Sequence, residues 1–319
     1  MNRRVLLVAP YVGEFGWELM NWHGHIRHIA RSGRFDRVIV AAPADRQALY
    51  ATDESVEVHP VEIPDLPGIA SEDHRITVEG GRVPVEFIRG LLVSILQSVE
   101  AKCGLNVGSA DFLLPQLNGQ LWSTIPHDQC FSNLRLPGPA TIDVVLIARR
   151  RDSAVERNQP EPWWDELAGK LTTKGLRVER YVDGLPLAIA QLSRARLAIG
   201  ASTGGLHLAS LCRCPHYVWG CDSSQRWTAL RMTNRQRYET FWNPLGTPVI
   251  YDGVGWRPSV DHVVNRTCAA LERIGRSDGH GEERAPSMNW RIRRSLARVV
   301  QIGDRWPWRV RRLVHEALL

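Results

Sequence analysis

The stretch from Ala195 to Ala209 constrains the fold more than any other part of this sequence. It reads ARLAIGASTGGLHLA, which is an apolar run, a turn of small residues and the beginning of an apolar helix. Small residues let a ligand approach the backbone, and the N–H groups at the start of a helix favour an anion. The pattern predicts a phosphate site at the carboxyl edge of a parallel strand. The candidate binding residues are Ser202, Thr203, Gly204, Gly205 and His207.

Two common nucleotide-binding classes do not fit this turn. It lacks the lysine of a phosphate-binding P-loop, and it departs from the G-x-G-x-x-G pattern of dinucleotide-binding proteins. No acidic residue follows it in the position that binds ribose in dehydrogenases. Neither NAD binding nor ATP hydrolysis is favoured.

A cluster of arginines follows the predicted strand Ile142–Ala148. Arginine suits a diphosphate because its planar fork makes paired, charged hydrogen bonds. Arg149 and Arg157 are the candidates for this role, since the end of a buried strand points into the crevice where ligands bind. The alternative interpretation is a solvated loop with spare positive charge, which we favour for Arg150 and Arg151.

A second site-like segment, Gly13-Glu14-Phe15-Gly16-Trp17-Glu18, follows the predicted strand Arg4–Ala9 and opens a helix. Its glycines permit close approach by a ligand. A carboxylate at the start of a helix is favoured by the helix dipole, so Glu14 or Glu18 is explained as a capping charge. A carboxylate that faces a substrate instead acts as a general base, and Glu14 is the candidate for that role.

Both halves of the chain alternate strands with helices, which predicts an α/β fold of two Rossmann-like, doubly wound domains facing a cleft. The length of 319 residues is sufficient for two cores. Helix Ser259–Ile274, with Ser259 as N-cap and Gly275 as its stop, either belongs to the second domain or returns to the first. The predicted organisation is an N-terminal domain 1–138, a C-terminal domain 139–275, a linker 276–288 and a basic amphipathic tail of helices, 289–319.

The tail carries the charge of the protein. Its eight arginines and two acidic residues give it a charge of +6, which equals the net charge of the whole chain. Basic amphipathic helices with tryptophans lie well in an anionic membrane interface. The other interpretation is a helix packed back on the protein, and nucleic-acid binding is a weaker third because no nucleic-acid module accompanies the tail.

Metal, cofactor and secretion signals are weak. The six cysteines form no C-x-x-C pair, and the three closely spaced histidines His23, His25 and His28 do not share one helix face. The apolar N-terminal run is short and interrupted by Pro10, which favours a buried strand over a signal peptide. We therefore expect a cytoplasmic protein without a metal or bound cofactor. Trp227, Trp242 and Trp256 are candidates for stacking on a base or sugar, or for the core.

Together these elements resemble the GT-B glycosyltransferases, and in particular the heptosyltransferase-like family 9. That family has a Gly-Asp turn after its first strand, matched here by Gly13-Glu14, and an Asp-Thr-Gly-x-x-His element, matched by Ser202-Thr203-Gly204-Gly205-Leu206-His207. A second GT-B group has an Arg…Arg-x-x-Asn stretch to which Arg149…Arg157-Asn158 is similar. Ser202 departs from the family aspartate that contacts the donor sugar, and Glu14 replaces an aspartate.

The resemblance implies an inverting, metal-independent glycosyltransferase that uses a nucleotide-diphospho-sugar and a saccharide or lipid-linked acceptor at the inner membrane face. Glu14 would be the base. Donor binding would fall to Arg149, Arg157, Asn158 and the residues of the 202–207 turn, and the acceptor side to Gly13, Gly16, Trp17 and Glu18. The rival functions are another group transfer, such as pyruvyl or phosphoryl transfer, and non-catalytic binding of a nucleotide or glycan on the same fold.

Overall fold

The computed structural model describes residues 4–13, 15–51, 54–63, 85–115, 130–150, 155–222 and 233–276. The chain divides into two compact units, Met1–Ser132 and Asn133–Leu319. Each unit contains its own parallel sheet, which confirms the α/β class. The predicted division between residues 138 and 139 lies slightly beyond the observed one. Glu14, Trp227 and the predicted tail 289–319 are outside the described residues.

The first unit is built on the sheet β3-β2-β1-β4, in which all strand pairs are parallel. The strands are β1 (Val5–Val8), β2 (Arg37–Ala42), β3 (Glu57–Pro60) and β4 (Asp111–Leu113), and the main helices are α1 (His23–Arg31), α2 (Gln47–Tyr50) and α3 (Val85–Lys102). Strand β1 is buried along its whole length, as its continuous apolar run predicts for a central parallel strand. Side chains of β1, β2 and α3 form the core of this unit.

The helix predicted over Trp17–Ser32 has a composite structure. It begins as a short α-helical turn, Phe15–Trp17, widens into a π-helical segment, Glu18–Trp22, and continues as α1. Single π-helical turns inside helices are rare overall, and those that occur often lie at functional sites. The apolar spacing in the sequence predicts the helix but not this change of pitch.

The second unit is built on the parallel sheet β6-β5-β7-β8-β9. Its strands are β5 (Ile142–Ile147), β6 (Val178–Arg180), β7 (Ala195–Ala201), β8 (His216–Trp219) and β9 (Val249–Asp252), and its main helices are α4 (Glu161–Thr173), α5 (Leu185–Ser193), α6 (Gly204–Leu211) and α7 (Val260–Arg276). The core joins β5, β7 and β8 to α4 and α7 around Trp164 and Trp219, whose tilted rings lie 5.8 Å apart.

Helix α7 corresponds to the helix predicted over Ser259–Ile274. The Ser259 hydroxyl accepts a hydrogen bond from the His262 backbone N–H at 3.3 Å, as expected of an N-cap. The prediction that Gly275 stops the helix is wrong, because α7 continues to Arg276. Its apolar face packs in the core of the second unit.

Among the residues that the structure describes, none of the helices combines the length and the apolar character needed to span a bilayer.

Candidate functional site

The predicted phosphate site lies at the point where the strand order of the second sheet reverses. Strand β5 is followed in the chain by β6 on one side and then by β7 on the other. Ile147 at the end of β5 pairs with Gly200 near the end of β7. The loops that leave these two strands therefore start side by side at the carboxyl edge, where open α/β sheets bind their ligands.

Gly200 and Gly205 allow a close approach between β5, β7 and α6. A Cβ atom on Gly200 would stand 2.5 Å from the Ile147 carbonyl oxygen, and one on Gly205 would stand 2.7 Å from the Ile147 Cγ2 atom. A larger residue at either position would push α6 or β7 away from β5. These glycines therefore have a packing role, and that packing places the start of α6 against the end of β5.

The start of α6 presents backbone amides to this edge. Thr203 is its N-cap with an extended backbone, and Gly204 and Gly205 form the first turn. Within the described segment 155–222, the Thr203 hydroxyl does not cap the helix. The first N–H groups of a helix have no partner inside the helix, and the dipole gives that end a partial positive charge. The arrangement suits an anion at the end of β7.

Arg149 and Asn158 are brought together at the end of β5. Arg149 is buried, and its Nη1 donates to Asn158 Oδ1 at 2.6 Å. This bond fixes a guanidinium immediately after the strand that borders the glycine turn. Arg150, the next residue, is exposed and pairs with Glu161 at 3.0 Å, as the solvated interpretation predicts.

Arg157 takes a different position from Arg149. Its guanidinium carbon lies 4.5 Å from the centre of the Trp256 ring, which is a cation–π contact. An edge of the Trp256 ring lies against the backbone of Gly220, where a Cβ atom would come within 2.9 Å of Trp256 Cζ3. Gln159 donates to the Trp256 carbonyl at 2.7 Å. Arg157 and Trp256 thus tie the loop after β5 to the loop after β9.

Ser202 and His207 belong to an aromatic cluster that the sequence did not predict. The Tyr238 hydroxyl donates to Ser202 Oγ at 2.9 Å, and its ring stacks on His207 at 5.3 Å and 22°. Trp242 closes the group, with its ring 5.0 Å from that of His207. His207 and Tyr238 are buried. His207 is consequently held by ring contacts within the second unit.

The cluster is completed by a second π-helical segment, Arg237–Phe241, which follows the turn Asn234–Gln236. Arg237 is 8% exposed, and its guanidinium carbon lies 5.3 Å from the centre of the Trp242 ring. Burial lowers the pKa of Arg237 to about 10, which still leaves the group charged at neutral pH. The sequence contained one usable signal for this element, because Thr233 and Gln236 form a capping box.

The acceptor-side candidates follow β1 in the first unit, whose sheet reverses its order between β1 and β4. Gly13 lies against Tyr11, since a Cβ atom there would stand 2.7 Å from the Tyr11 ring. Gly16 and Trp17 lie in the first helical turn. Because Glu14 is outside the described residues, its role stays a prediction.

Glu18 is buried inside the first unit, with 1% of its surface exposed. One carboxylate oxygen accepts from Arg46 Nε at 3.0 Å, and the other accepts from the Tyr50 hydroxyl at 2.8 Å. Burial raises the pKa of Glu18 to about 7, although Arg46 and Tyr50 act in the opposite direction. Arg46 also lies over the Phe15 ring at 4.5 Å. Glu18 thus connects the start of the composite helix to α2, and its side chain does not face solvent.

No protein-family model and no curated protein matches this sequence. Several solved structures are similar to it. A family 9 glycosyl transferase from Veillonella parvula DSM 2008 matches with a TM-score of 0.49 and 11% identity, over 85% of this chain and 98% of its own. The E. coli heptosyltransferase WaaC with ADP matches with a TM-score of 0.46 and 15% identity, over 84% and 99%.

The E. coli ADP-heptose LPS heptosyltransferase II is a further similar structure. It matches with a TM-score of 0.45 and 14% identity, over 85% of this chain and 99% of its own. All three similarities combine low sequence identity with TM-scores below 0.5. In these terms the protein is similar to heptosyltransferases and to a family 9 glycosyl transferase.

Proposed function

We propose that the protein is a glycosyltransferase that moves a sugar from a nucleotide-diphospho-sugar to a saccharide or lipid-linked acceptor in cell-surface polysaccharide or glycolipid synthesis. The observation that carries this proposal is the buried Arg149 beside the glycine turn that opens α6. A guanidinium and a helix start at one sheet edge both favour a diphosphate. We therefore assign the donor to the second unit, and we propose that the acceptor binds the first unit, where the candidate base Glu14 follows β1.

The proposed chemistry is a direct displacement at the anomeric carbon of the donor sugar. The acceptor hydroxyl oxygen forms the new bond to this carbon while the bond to the diphosphate oxygen breaks, so the sugar configuration inverts. The acceptor proton passes to a carboxylate, for which Glu14 is the candidate. Negative charge grows on the leaving diphosphate, where Arg149 and the first amides of α6 stabilise it. The nucleotide sugar is the co-substrate, and the scheme uses no other cofactor.

The first experiment is a thermal-shift screen of the full chain against UDP, GDP, ADP, CMP, dTDP and NAD. A ligand that binds only the folded state raises the unfolding midpoint. At a concentration one hundred times its Kd, it adds about 2.7 kcal/mol to the free energy of unfolding. We expect one nucleoside diphosphate to raise the midpoint and NAD to leave it unchanged. No shift with any diphosphate, or a shift with NAD alone, overturns the proposal.

Two adjacent arginines provide the matched control for this screen. Arg149→Gln removes the buried guanidinium at the site, whereas Arg150→Gln removes one that is exposed and paired with Glu161. We expect the diphosphate shift to disappear in the first variant and to persist in the second. Equal shifts in both variants would place the nucleotide elsewhere.

Turnover requires a separate test, because the geometry of Ser202 favours a second candidate function. Its hydroxyl is engaged by Tyr238 at 2.9 Å, in the position where the resembling family has an aspartate. A protein that binds donor but shows neither transfer nor slow donor hydrolysis is a nucleotide-binding protein without catalysis. For an active enzyme, Glu14→Gln should retain donor binding and lose turnover, and near-normal turnover would remove Glu14 from the role of base.

A further inference from the structure

The π-helical segment Arg237–Phe241 is attached to the donor site by two independent contacts. Tyr238 donates to Ser202 in the turn before α6, and Trp242, directly after the segment, lies 5.0 Å from the His207 ring on α6. A capping box at Thr233 fixes where this segment begins. Tyr238 and Trp242 thus lie against α6 and the turn that precedes it.

This arrangement also holds the charged side chain of Arg237 against the aromatic cluster. Arg237 is 8% exposed, and its guanidinium lies over the Trp242 ring that contacts His207. Its neighbour Arg235 points elsewhere, because its guanidinium pairs with Asp222 at 3.3 Å and lies over Tyr251. The two neighbouring arginines thus differ, because Arg235 forms a partly exposed ion pair with Asp222 whereas Arg237 is buried at the aromatic cluster.

A guanidinium suits an oxyanion, because its planar fork makes paired, charged hydrogen bonds. Holding the side chain against an aromatic ring orders it before the ligand arrives, which lowers the entropy lost on binding. With the proposed glycosyltransferase function as its basis, we propose that Arg237 binds an oxyanion of the nucleotide-sugar donor. Two parts of the donor carry this chemistry, the diphosphate and a carboxylate on the sugar.

The experiment is titration calorimetry on the full chain and on the variants Arg237→Gln, Arg237→Lys and Arg235→Gln. The ligands are inorganic pyrophosphate, the nucleoside diphosphate that gives the largest thermal shift, and its conjugates with glucose and with glucuronate. Removing a charged hydrogen bond weakens binding by about 10- to 100-fold. We expect this loss in Arg237→Gln, a smaller loss in Arg237→Lys and none in Arg235→Gln.

The ligand series distinguishes the two sources of the oxyanion. Weaker binding of pyrophosphate and of all the nucleotides identifies the diphosphate, whereas a loss confined to the glucuronate conjugate identifies a sugar carboxylate. Unchanged affinities of Arg237→Gln for all four ligands overturn the inference. If Arg237→Gln does not fold, Arg237→Lys decides the matter, since it keeps the charge and loses the fork.

The same series separates this inference from the function on which it is based. Pyrophosphate binding that depends on Arg237, without binding of any nucleotide, retains the anion site and overturns the glycosyltransferase. Nucleotide binding that does not depend on Arg237 retains the proposed function and overturns the role of Arg237. Absence of binding by the wild-type protein to pyrophosphate and to every nucleotide overturns both.

Discussion

Tyr238 donates its phenolic hydrogen to Ser202 Oγ across 2.9 Å, and this bond joins the second π-helical segment to the turn that precedes α6. The two residues are 36 positions apart in the chain, so the contact requires two distant segments to pack together. Tyr238 has no exposed surface, and its ring stacks on His207. The phenol is therefore buried although Ser202 is partly exposed, and a buried donor without a partner is costly.

Tyr238→Phe should lower the free energy of unfolding by about 0.5–1.5 kcal/mol, because it removes the hydrogen bond and keeps the ring. Ser202→Ala leaves the phenol without this acceptor and should cost about 1–3 kcal/mol. Urea unfolding of both variants and of the double variant measures the coupling between them. Strictly additive losses would show that the bond contributes nothing to stability.

Glu18 should give the first unit an unusual pH dependence. Burial raises its pKa to about 7 from an ordinary value of 4.5. Between these two values the folded protein holds a proton that the unfolded chain has released, so stability falls as the pH rises through this window. Glu18→Gln should flatten the fall of the unfolding midpoint between about pH 4.5 and 7, measured by thermal unfolding in matched buffers.

Glu57 provides the control of opposite sign for Glu18. Its hydrogen bond with Arg37 lowers its pKa, so its contribution is present above its ordinary pKa and is lost as the pH falls through the lowered value. Because its side chain is half exposed, Glu57→Gln should have a small effect, confined to acidic pH. A Glu18→Gln variant whose slope matches that of the wild type would show that Glu18 titrates normally.

Substitutions at Gly200 and Gly205 should destabilise the protein to different degrees, depending on which atoms an added methyl group would contact. Gly200→Ala would place a methyl group 2.5 Å from the backbone oxygen of Ile147, whereas Gly205→Ala would meet a side-chain methyl of the same residue at 2.7 Å. Overpacking of this kind costs about 1–3 kcal/mol. We expect Gly200→Ala to be the more destabilising, because a strand backbone cannot rotate away from the clash.

Gly169 is the matched control for these substitutions. It lies in the interior of α4 and is exposed, and a methyl group added to it would meet no atom within 4 Å in the described part of the second unit. Gly169→Ala should therefore stabilise the protein by about 0.5–1 kcal/mol through helix propensity. Denaturant unfolding of the three variants checks the order, and a Gly200→Ala variant as stable as Gly169→Ala would contradict it.

The strands that position the site were predictable because they are mainly apolar runs, as in β1, β5 and β7, although β5 and β7 each carry one charged residue in second position. The short strands β3 and β4 were not, since each is partly exposed and has a charged residue at its start. Their extended backbone is fixed by pairing with β2 and β1, which residue pattern alone does not reveal.

The candidate site was predictable to a similar, partial extent. The glycine turn and Arg149 were visible because small residues and charge at a strand end are local features of the sequence. The contacts of Tyr238 and Arg237 were not, because they depend on a π-helical pitch and on packing between distant segments. Likewise, the first turn at Glu18 has the composition of an exposed helix start, and only its long-range partners Arg46 and Tyr50 explain its burial.

The basic tail, residues 289–319, leads to a prediction from the sequence alone. The residues Ile292, Leu296, Val299 and Val300 have helical spacing and predict one apolar stripe. The eight arginines and this stripe should bind anionic lipid by charge and by insertion, with about 1 kcal/mol for each basic residue near the surface. The full chain should sediment with vesicles that contain phosphatidylglycerol at low salt and not with vesicles of phosphatidylcholine alone. A chain that ends at residue 288 should remain in the supernatant with both.

Replacing the stripe residues Leu296, Val299 and Val300 by serine keeps every arginine, so it separates insertion from charge. Sedimentation of the shortened chain with anionic vesicles would assign the lipid contact to the body of the protein, and a full chain that ignores these vesicles would make the tail a structural element.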